Sequence, residues 1–258
     1  MHYLRALLKT LIPKKYRPGA IELYVRLRAF LYRGNRYICP VCQGNFRKLL
    51  PYGVRARPNA QCPGCGSLER HRLLWLYLKE RTGFFTRNLR VLDVAPMPVL
   101  QQRWRKLPNL DYLSVDIASP TAMVQMDITD MKFPEHQFDC ILCYHVLEHI
   151  PDDRKAMQEL FRVLKPGGWA ILQSPIDSTR TTTLEDPSIS TPEERERAFG
   201  QSDHVRVYGL DYKDRLGSAG FIVRVDSYVK QLPGVIVERY RLYGDEDIYF
   251  CVKPDKGL

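Results

Sequence analysis

From Leu89 onward, short apolar runs alternate with segments whose apolar positions recur three or four residues apart. That rhythm predicts strands alternating with helices, and hence an α/β class with a doubly wound sheet. Strands are expected over 90–95, 112–116, 123–126, 138–144, 168–174, 221–226 and 248–252, and helices over 99–106, 152–164 and 212–219. Upstream, Pro18-Gly19 opens a helical pattern with Leu23, Leu27, Phe30 and Leu31 on one stripe, Glu22, Arg26 and Arg33 on another face, and Gly34 as its stop. A second helix is expected from a Ser67 cap to about Arg81, with Leu74, Trp75 and Leu78 on its stripe and Gly83 as its end. The stretch 175–208 carries no clear period and is too long for an ordinary connection, so it is either a functional lid or partly disordered.

The 258 residues leave room for one sizeable domain with an appendage, or for two modest domains. With 45% hydrophobic and 26% charged residues the composition excludes a disordered, collagenous or coiled-coil chain. No apolar run approaches the ~20 residues that cross a bilayer. The opening MHYLRALLKTLIPKKYRPG is interrupted by Arg5 and Lys9 and lacks a small-residue cleavage site, so a cytoplasmic location is expected. Charge changes this picture more than composition does. Residues 1–90 hold 19 Lys/Arg against three acids, whereas 91–258 hold 20 against 26. The first third is therefore expected to meet an anionic partner, nucleic acid or a lipid or glycan surface, unless its basic face only docks on the acidic remainder.

Four of the seven cysteines form Cys39-Pro-Val-Cys42 and Cys62-Pro-Gly-Cys65, two pairs with 19 residues between them. That spacing suits a closed tetrahedral zinc site in a ribbon over 36–68, a structural clip with no position left for a reactive water. Redox or disulfide cysteines are the alternative, disfavoured by two matched pairs in a chain without a secretory signal. Cys140 and Cys143 lie in the apolar run FDCILCY, three apart on an expected strand, and read as core residues.

Several segments in order resemble the motifs of class I S-adenosylmethionine-dependent methyltransferases, type 11-like: Val91-Leu92-Asp93, Asp116, Asp127-Ile128, FDCILCYHVLEHIPDD and RVLKPGGWAIL, over roughly residues 89–227. The resemblance implies a Rossmann-like seven-stranded sheet ending in an antiparallel hairpin, with S-adenosylmethionine at the carboxyl ends of the strands. It implies a cofactor set of Asp93, Ala95, Pro96, Asp116, Ile117, Asp127, Ile128, Tyr144 and His145: Asp127 would meet the adenine amino group, Ile128 the ring edge, and Tyr144 and His145 the methyl-sulfonium. Asp116 closes the second strand of the sheet, where an acid can accept hydrogen bonds from ribose hydroxyls. In place of the family's G-x-G after the first strand, the chain has Asp93-Val94-Ala95-Pro96-Met97-Pro98. Either this loop is a competent variant or the fold persists as a cofactor-less binding module. The joint presence of Asp93, Asp116 and Asp127 favours competence.

Methyl transfer needs a base only if the acceptor must lose a proton. His145 and His149 in HVLEH, and His204 in FGQSDHVRVYG, are the candidates, with structural or surface histidines as the alternative for His149 and His204. Glu148 is expected to orient or cap rather than act as base. The insert also holds Glu185, Asp186, Arg195, Asp203 and Arg206, residue types suited to a polar acceptor. The expected organisation is basic amphipathic helices over 1–35, the ribbon over 36–68, a linker helix over 69–88 and the methyltransferase domain over 89–258 with its insert at 175–208. The expected function is O- or N-methylation of a polar small molecule or a saccharide. RNA methylation through the basic ribbon, or an inactive adaptor, are the alternatives. Arg5, Lys9, Lys14, Lys15, Arg17, Arg26, Arg28 and Arg33 with apolar residues between them suit an anionic membrane surface, peripheral to its inner face.

Overall fold

The computed structural model describes residues 16–53 and 56–255. Arg5, Lys9, Lys14 and Lys15 of the expected basic helices lie outside the described residues. The chain divides into two compact units, one formed by residues up to Thr82 with Tyr228–Glu246, the other by Gly83–Ser227 with Asp247 onward.

In the first unit, α1 (Arg17–Leu31) begins with a proline in its first turn and ends where the Tyr32 N–H reaches the Arg28 carbonyl. Strands β1 (Arg33–Ile38) and β2 (Asn45–Phe46) form one antiparallel hairpin, and β3 (Leu50–Tyr52) and β4 (Arg57–Gln61) a second. Gly34 is not the helix stop: it lies in β1, where a Cβ would fall 2.6 Å from that of Arg47. Helix α2 (Glu69–Arg81) starts one residue later than a Ser67 cap would give, with Leu68 as its cap residue. The Ser67 hydroxyl lies at the sulfurs of Cys39 and Cys65 instead, at 3.1 and 3.3 Å. Leu73, Leu74, Leu76, Tyr77 and Leu78 are buried, so α2 is core of this unit rather than a linker. Arg72, wholly buried, donates to the carbonyls of Ala60, Ser67, Tyr240 and Arg241, tying α2 to the later excursion of the chain.

The second unit is the α/β layer. In chain order it contains β5 (Leu89–Val94), α3 (Pro98–Trp104), β6 (Leu110–Asp116), β7 (Val124–Gln125), β8 (Phe138–Tyr144), α4 (Asp153–Val163), β9 (Leu164–Gln173), β10 (Leu184–Glu185), α5 (Pro192–Phe199), β11 (Arg206–Val207), α6 (Tyr212–Gly217) and β12 (Ile222–Asp226). Helices α7 (Tyr228–Gln231) and α8 (Gly234–Tyr240) belong to the first unit, after which β13 (Ile248–Val252) returns to the sheet. The seven strands run in the order β12-β13-β9-β8-β5-β6-β7, with β5 to β9 parallel and the β12/β13 hairpin antiparallel. A one-piece domain over 89–258 therefore differs from the structure by the excursion 228–246, which the strand rhythm did not reveal.

Strands β5 and β8 are buried on both faces apart from Arg90 and Asp139, as central parallel strands are, and Cys140 and Cys143 are wholly buried among them. Asp152 caps α4 by accepting from the Lys155 N–H at 3.0 Å. The insert is ordered: β10 pairs with β11, and α5 carries a reciprocal Thr191–Glu194 cap and ends on Gly200 at φ +81°.

Candidate functional site

Chain direction across the sheet reverses between β5 and β8. From β5 the chain goes through α3 to β6, and from β8 through α4 to β9 on the other side. Ligands of such sheets bind outside the carboxyl ends at this reversal. Two non-glycine residues there take left-handed backbone, Ala95 at φ +48° after β5 and His145 at φ +59° after β8. The Ala95 N–H donates to the Val115 carbonyl at 2.8 Å and the His145 N–H to that of Gln173 at 2.7 Å, so neighbouring strands hold both turns. The backbone form that glycine adopts freely is thus kept by alanine, at roughly 1–2 kcal/mol. Pro96 is buried, and α3 begins two residues later.

The three acids expected at the strand ends differ in surroundings. Asp93 is 4% exposed, and the Tyr112 hydroxyl donates to its Oδ2 at 2.6 Å. Burial pushes its pKa up to about 7, against the hydrogen bond from Tyr112, which lowers it. Asp116 is half-buried and its Oδ1 accepts from the Ala118 and Ser119 N–H groups at 2.8 and 2.7 Å, leaving Oδ2 without a partner among the described residues. Ile117 beside it is 61% exposed, an apolar side chain open at a strand end. Asp127 is exposed and accepts from the Thr129 N–H and hydroxyl, while Ile128 is buried.

After β8, Tyr144 is buried and His145 partly open. A single 3-10 turn, Leu147–His149, follows. Glu148 is 2% exposed; its Oε1 lies 3.3 Å from His145 Nδ1, and its Oε2 accepts from the Ser174 hydroxyl at 3.0 Å. Burial would raise the Glu148 pKa, but His145, the residue's own N–H and His149 outweigh it and hold it below the ordinary carboxylate value. His149 Nδ1 lies 3.2 Å from the Asp203 carbonyl and 3.4 Å from its carboxylate. The His204 ring meets the His149 ring edge-on at 4.7 Å between centroids. Burial, with His149 beside it, lowers the His204 pKa and so favours the neutral ring. The structure thus gathers the three candidate histidines around Glu148 at the end of β8.

Residues 63–172 match the family model described as a methyltransferase domain. The α/β unit holds most of that match and has the Rossmann-like seven-stranded sheet of such a domain. Its relatives include the ubiquinone/menaquinone biosynthesis C-methyltransferase of Vibrio cholerae, 44% identical over 45 residues, 17% of this chain and 17% of that protein. Another is the sterol 24-C-methyltransferase of Aspergillus fumigatus, 43% identical over 47 residues, 18% of this chain and 12% of that one. The chain thus spans less than a fifth of the length of either relative. Among solved structures, the YcgJ protein of Bacillus subtilis superposes with a TM-score of 0.50 at 16% identity, covering 72% of this chain and 99% of that one, a likeness of fold.

In the α/β unit the insert is pinned rather than loose. Arg215 grips both carboxylate oxygens of Asp153 at 2.7 Å and those of Glu185 at 2.9 and 2.8 Å. Arg206, 3% exposed, donates to Glu185 and to the carbonyls of Leu147, Ile150 and Pro151, the backbone of the HVLEH turn and of the two residues after it. Tyr208 donates to Asp153 and to the Leu147 carbonyl. Glu185 and Arg206, read from the sequence as acceptor-facing, are therefore consumed in holding the insert to the turn. Asp153, Tyr208 and Arg215 were missed, because nothing local marks them apart from ordinary surface charge.

In the first unit the four cysteine sulfurs lie within 4.8 Å of one another, with Cys39–Cys65 at 3.6 Å and Cys42–Cys62 at 3.7 Å. Hydrogen bonds from Cys42, Cys62 and Cys65 hold the Cys39 thiol well below its usual range, and Cys39 in turn pushes Cys42 and Cys62 up. Four thiolates cannot coexist there without a cation, the condition that a zinc ion meets. A cavity of about 300 Å³ lined by Arg57, Glu69, Arg241 and Tyr243 also lies in this unit and shares no residue with the strand ends.

Proposed function

We propose that the protein is an S-adenosylmethionine-dependent methyltransferase that methylates an oxygen or nitrogen of a polar acceptor, a small molecule or a saccharide. The observation that carries this is the group of His145, Glu148, His149, Asp203 and His204 at the carboxyl end of β8, beside the point where the sheet reverses. Polar side chains there, all but Asp203 buried or half-buried, favour a hydrogen-bonding acceptor over the quinone and sterol chemistry named for the relatives.

S-adenosylmethionine, when bound, supplies a methyl on a sulfonium that is already a good leaving group. Asp116 would hold the ribose hydroxyls through its free oxygen. Asp127 and Ile128 would meet the adenine, Ile117 would cover it, and Ala95, Pro96, Tyr144 and His145 would line the methionine end. Asp93, bonded to Tyr112, would act there by holding the β5 and β6 ends in register. The ring of His204 or His149 would take the proton of a hydroxyl acceptor at its free nitrogen. Aligning acceptor and methyl supplies much of the rate.

The first unit would hold one structural zinc through Cys39, Cys42, Cys62 and Cys65. Leu23, Leu27, Phe30 and Leu31 of α1 are all more than half exposed next to exposed Arg26, which supports reversible attachment to an anionic membrane surface. Calorimetry with S-adenosylmethionine and its demethylated product, followed by transfer of labelled methyl to saccharide, lipid-linked and RNA fractions, tests the proposal. Micromolar binding with label in a saccharide or small-molecule fraction is expected. No binding at millimolar cofactor would remove the enzyme, and label in RNA alone would replace the acceptor class.

A further inference from the structure

We propose that Glu148, His149 and His204 form a site for a divalent cation of the borderline class, such as Mn2+, Co2+ or Zn2+, distinct from the four-cysteine cluster. Their ligand atoms lie within 4.8 Å of one another, close to the span that one ion closes with bonds of about 2.0–2.2 Å. Two further observations point to a ligand. Glu148 Oε1 is buried and makes no hydrogen bond, its near neighbour being the His145 ring at 3.3 Å, while Ser174 occupies the other oxygen. His204 is 7% exposed, yet neither of its ring nitrogens has a hydrogen-bond partner among the described residues. A buried carboxylate oxygen left without a hydrogen bond is costly unless something joins it, and the His204 ring beside it has its nitrogens free to do so.

The surroundings suit a metal site. His149 Nδ1 faces the carbonyl and carboxylate of Asp203, an arrangement that orients a ligating imidazole and leaves Nε2 for the ion. The ligands come from two segments that are fixed to each other. The Val205 N–H donates to the Glu148 carbonyl at 3.0 Å, and Arg206 holds three carbonyls of the turn. Two imidazoles and one carboxylate favour borderline ions over Mg2+ or Ca2+, and three protein ligands leave positions open for an oxygen of the acceptor. The acceptor's place on the ion rests on the methyltransferase function proposed above; the binding of the ion does not. With the ion in place, His149 and His204 would hold the acceptor through it rather than take its proton.

The test is titration of zinc-loaded protein with Mn2+, counting free ion by its electron paramagnetic resonance signal, and with Co2+, whose spectrum separates sulfur from nitrogen–oxygen ligation. One Mn2+ per chain beyond the ribbon is expected, weakened at least ~10-fold in Glu148→Gln and in His204→Ala and unchanged in Asp186→Asn. If Glu148→Gln does not fold, His204→Ala and His204→Asn carry the comparison, since the ring makes no hydrogen bond that folding would miss. No second ion at millimolar Mn2+, Co2+ or Zn2+, or undiminished binding by His204→Ala, overturns the site. The demethylated cofactor product is titrated alongside: a response to it without cation binding removes this site alone, and cation binding without that response removes only the acceptor role.

Discussion

The Tyr112 hydroxyl donates to the Asp93 carboxylate at 2.6 Å between neighbouring parallel strands, in a place where Asp93 is almost wholly enclosed. Because its pKa is raised to about 7 from 3.8, the folded protein keeps a proton that the unfolded chain has released. The associated stability is fully present below about pH 4 and is lost as the pH rises to about 7, at ~1.4 kcal/mol per pH unit. Asp93→Asn removes this dependence. Denaturant titrations of both proteins at intervals from pH 4 to 8 should show wild type losing stability relative to the variant across that window, and parallel curves would contradict the burial argument.

Ala95 sits in the left-handed region at the end of β5. Ala95→Gly should leave stability unchanged or raise it by up to about 1 kcal/mol, since relief of the strained φ outweighs the added freedom of the unfolded chain. Ala95→Val should lower it by more than that. Thermal melts of the two variants check the sign, and equal destabilisation by both would mean that the alanine methyl itself is packed.

Arg215 reaches both oxygens of Asp153 in a buried setting. Arg215→Met should cost about 3 kcal/mol, because Asp153 is then left charged with only Tyr208 and Arg206 nearby. The insert and the HVLEH turn should open together, seen as faster amide exchange in both 147–151 and 203–208. Protection lost in one segment alone would show that the network does not couple them.

Asp116→Ala should weaken S-adenosylmethionine binding by about 1–3 kcal/mol through loss of acceptors for the ribose hydroxyls. Unchanged affinity by calorimetry would move the ribose elsewhere.

Purified protein should carry about one zinc per chain, and Cys39→Ser should lose it and melt the first unit at lower temperature. Elemental analysis of both proteins decides this.

The periodicity of 89–252 disclosed the strands and helices of a doubly wound sheet, because alternation and helical spacing are local consequences of which faces are covered, whereas the antiparallel final hairpin was implied only by the resemblance to methyltransferases. Cysteine spacing likewise brought Cys39, Cys42, Cys62 and Cys65 together, since each pair needs only its own tight turn. His145, Glu148 and His149 were legible as neighbours because they lie within five residues of one another after a recognisable strand. Tertiary structure alone decided that His204, more than fifty residues later, closes on His149, that Arg206 and Arg215 are spent on Asp153, Glu185 and turn carbonyls, and that residues 228–246 leave the sheet to join the first unit. Those outcomes depend on which buried polar groups find partners across long loops, and a charged residue looks the same in sequence whether its partner is water or a buried carboxylate.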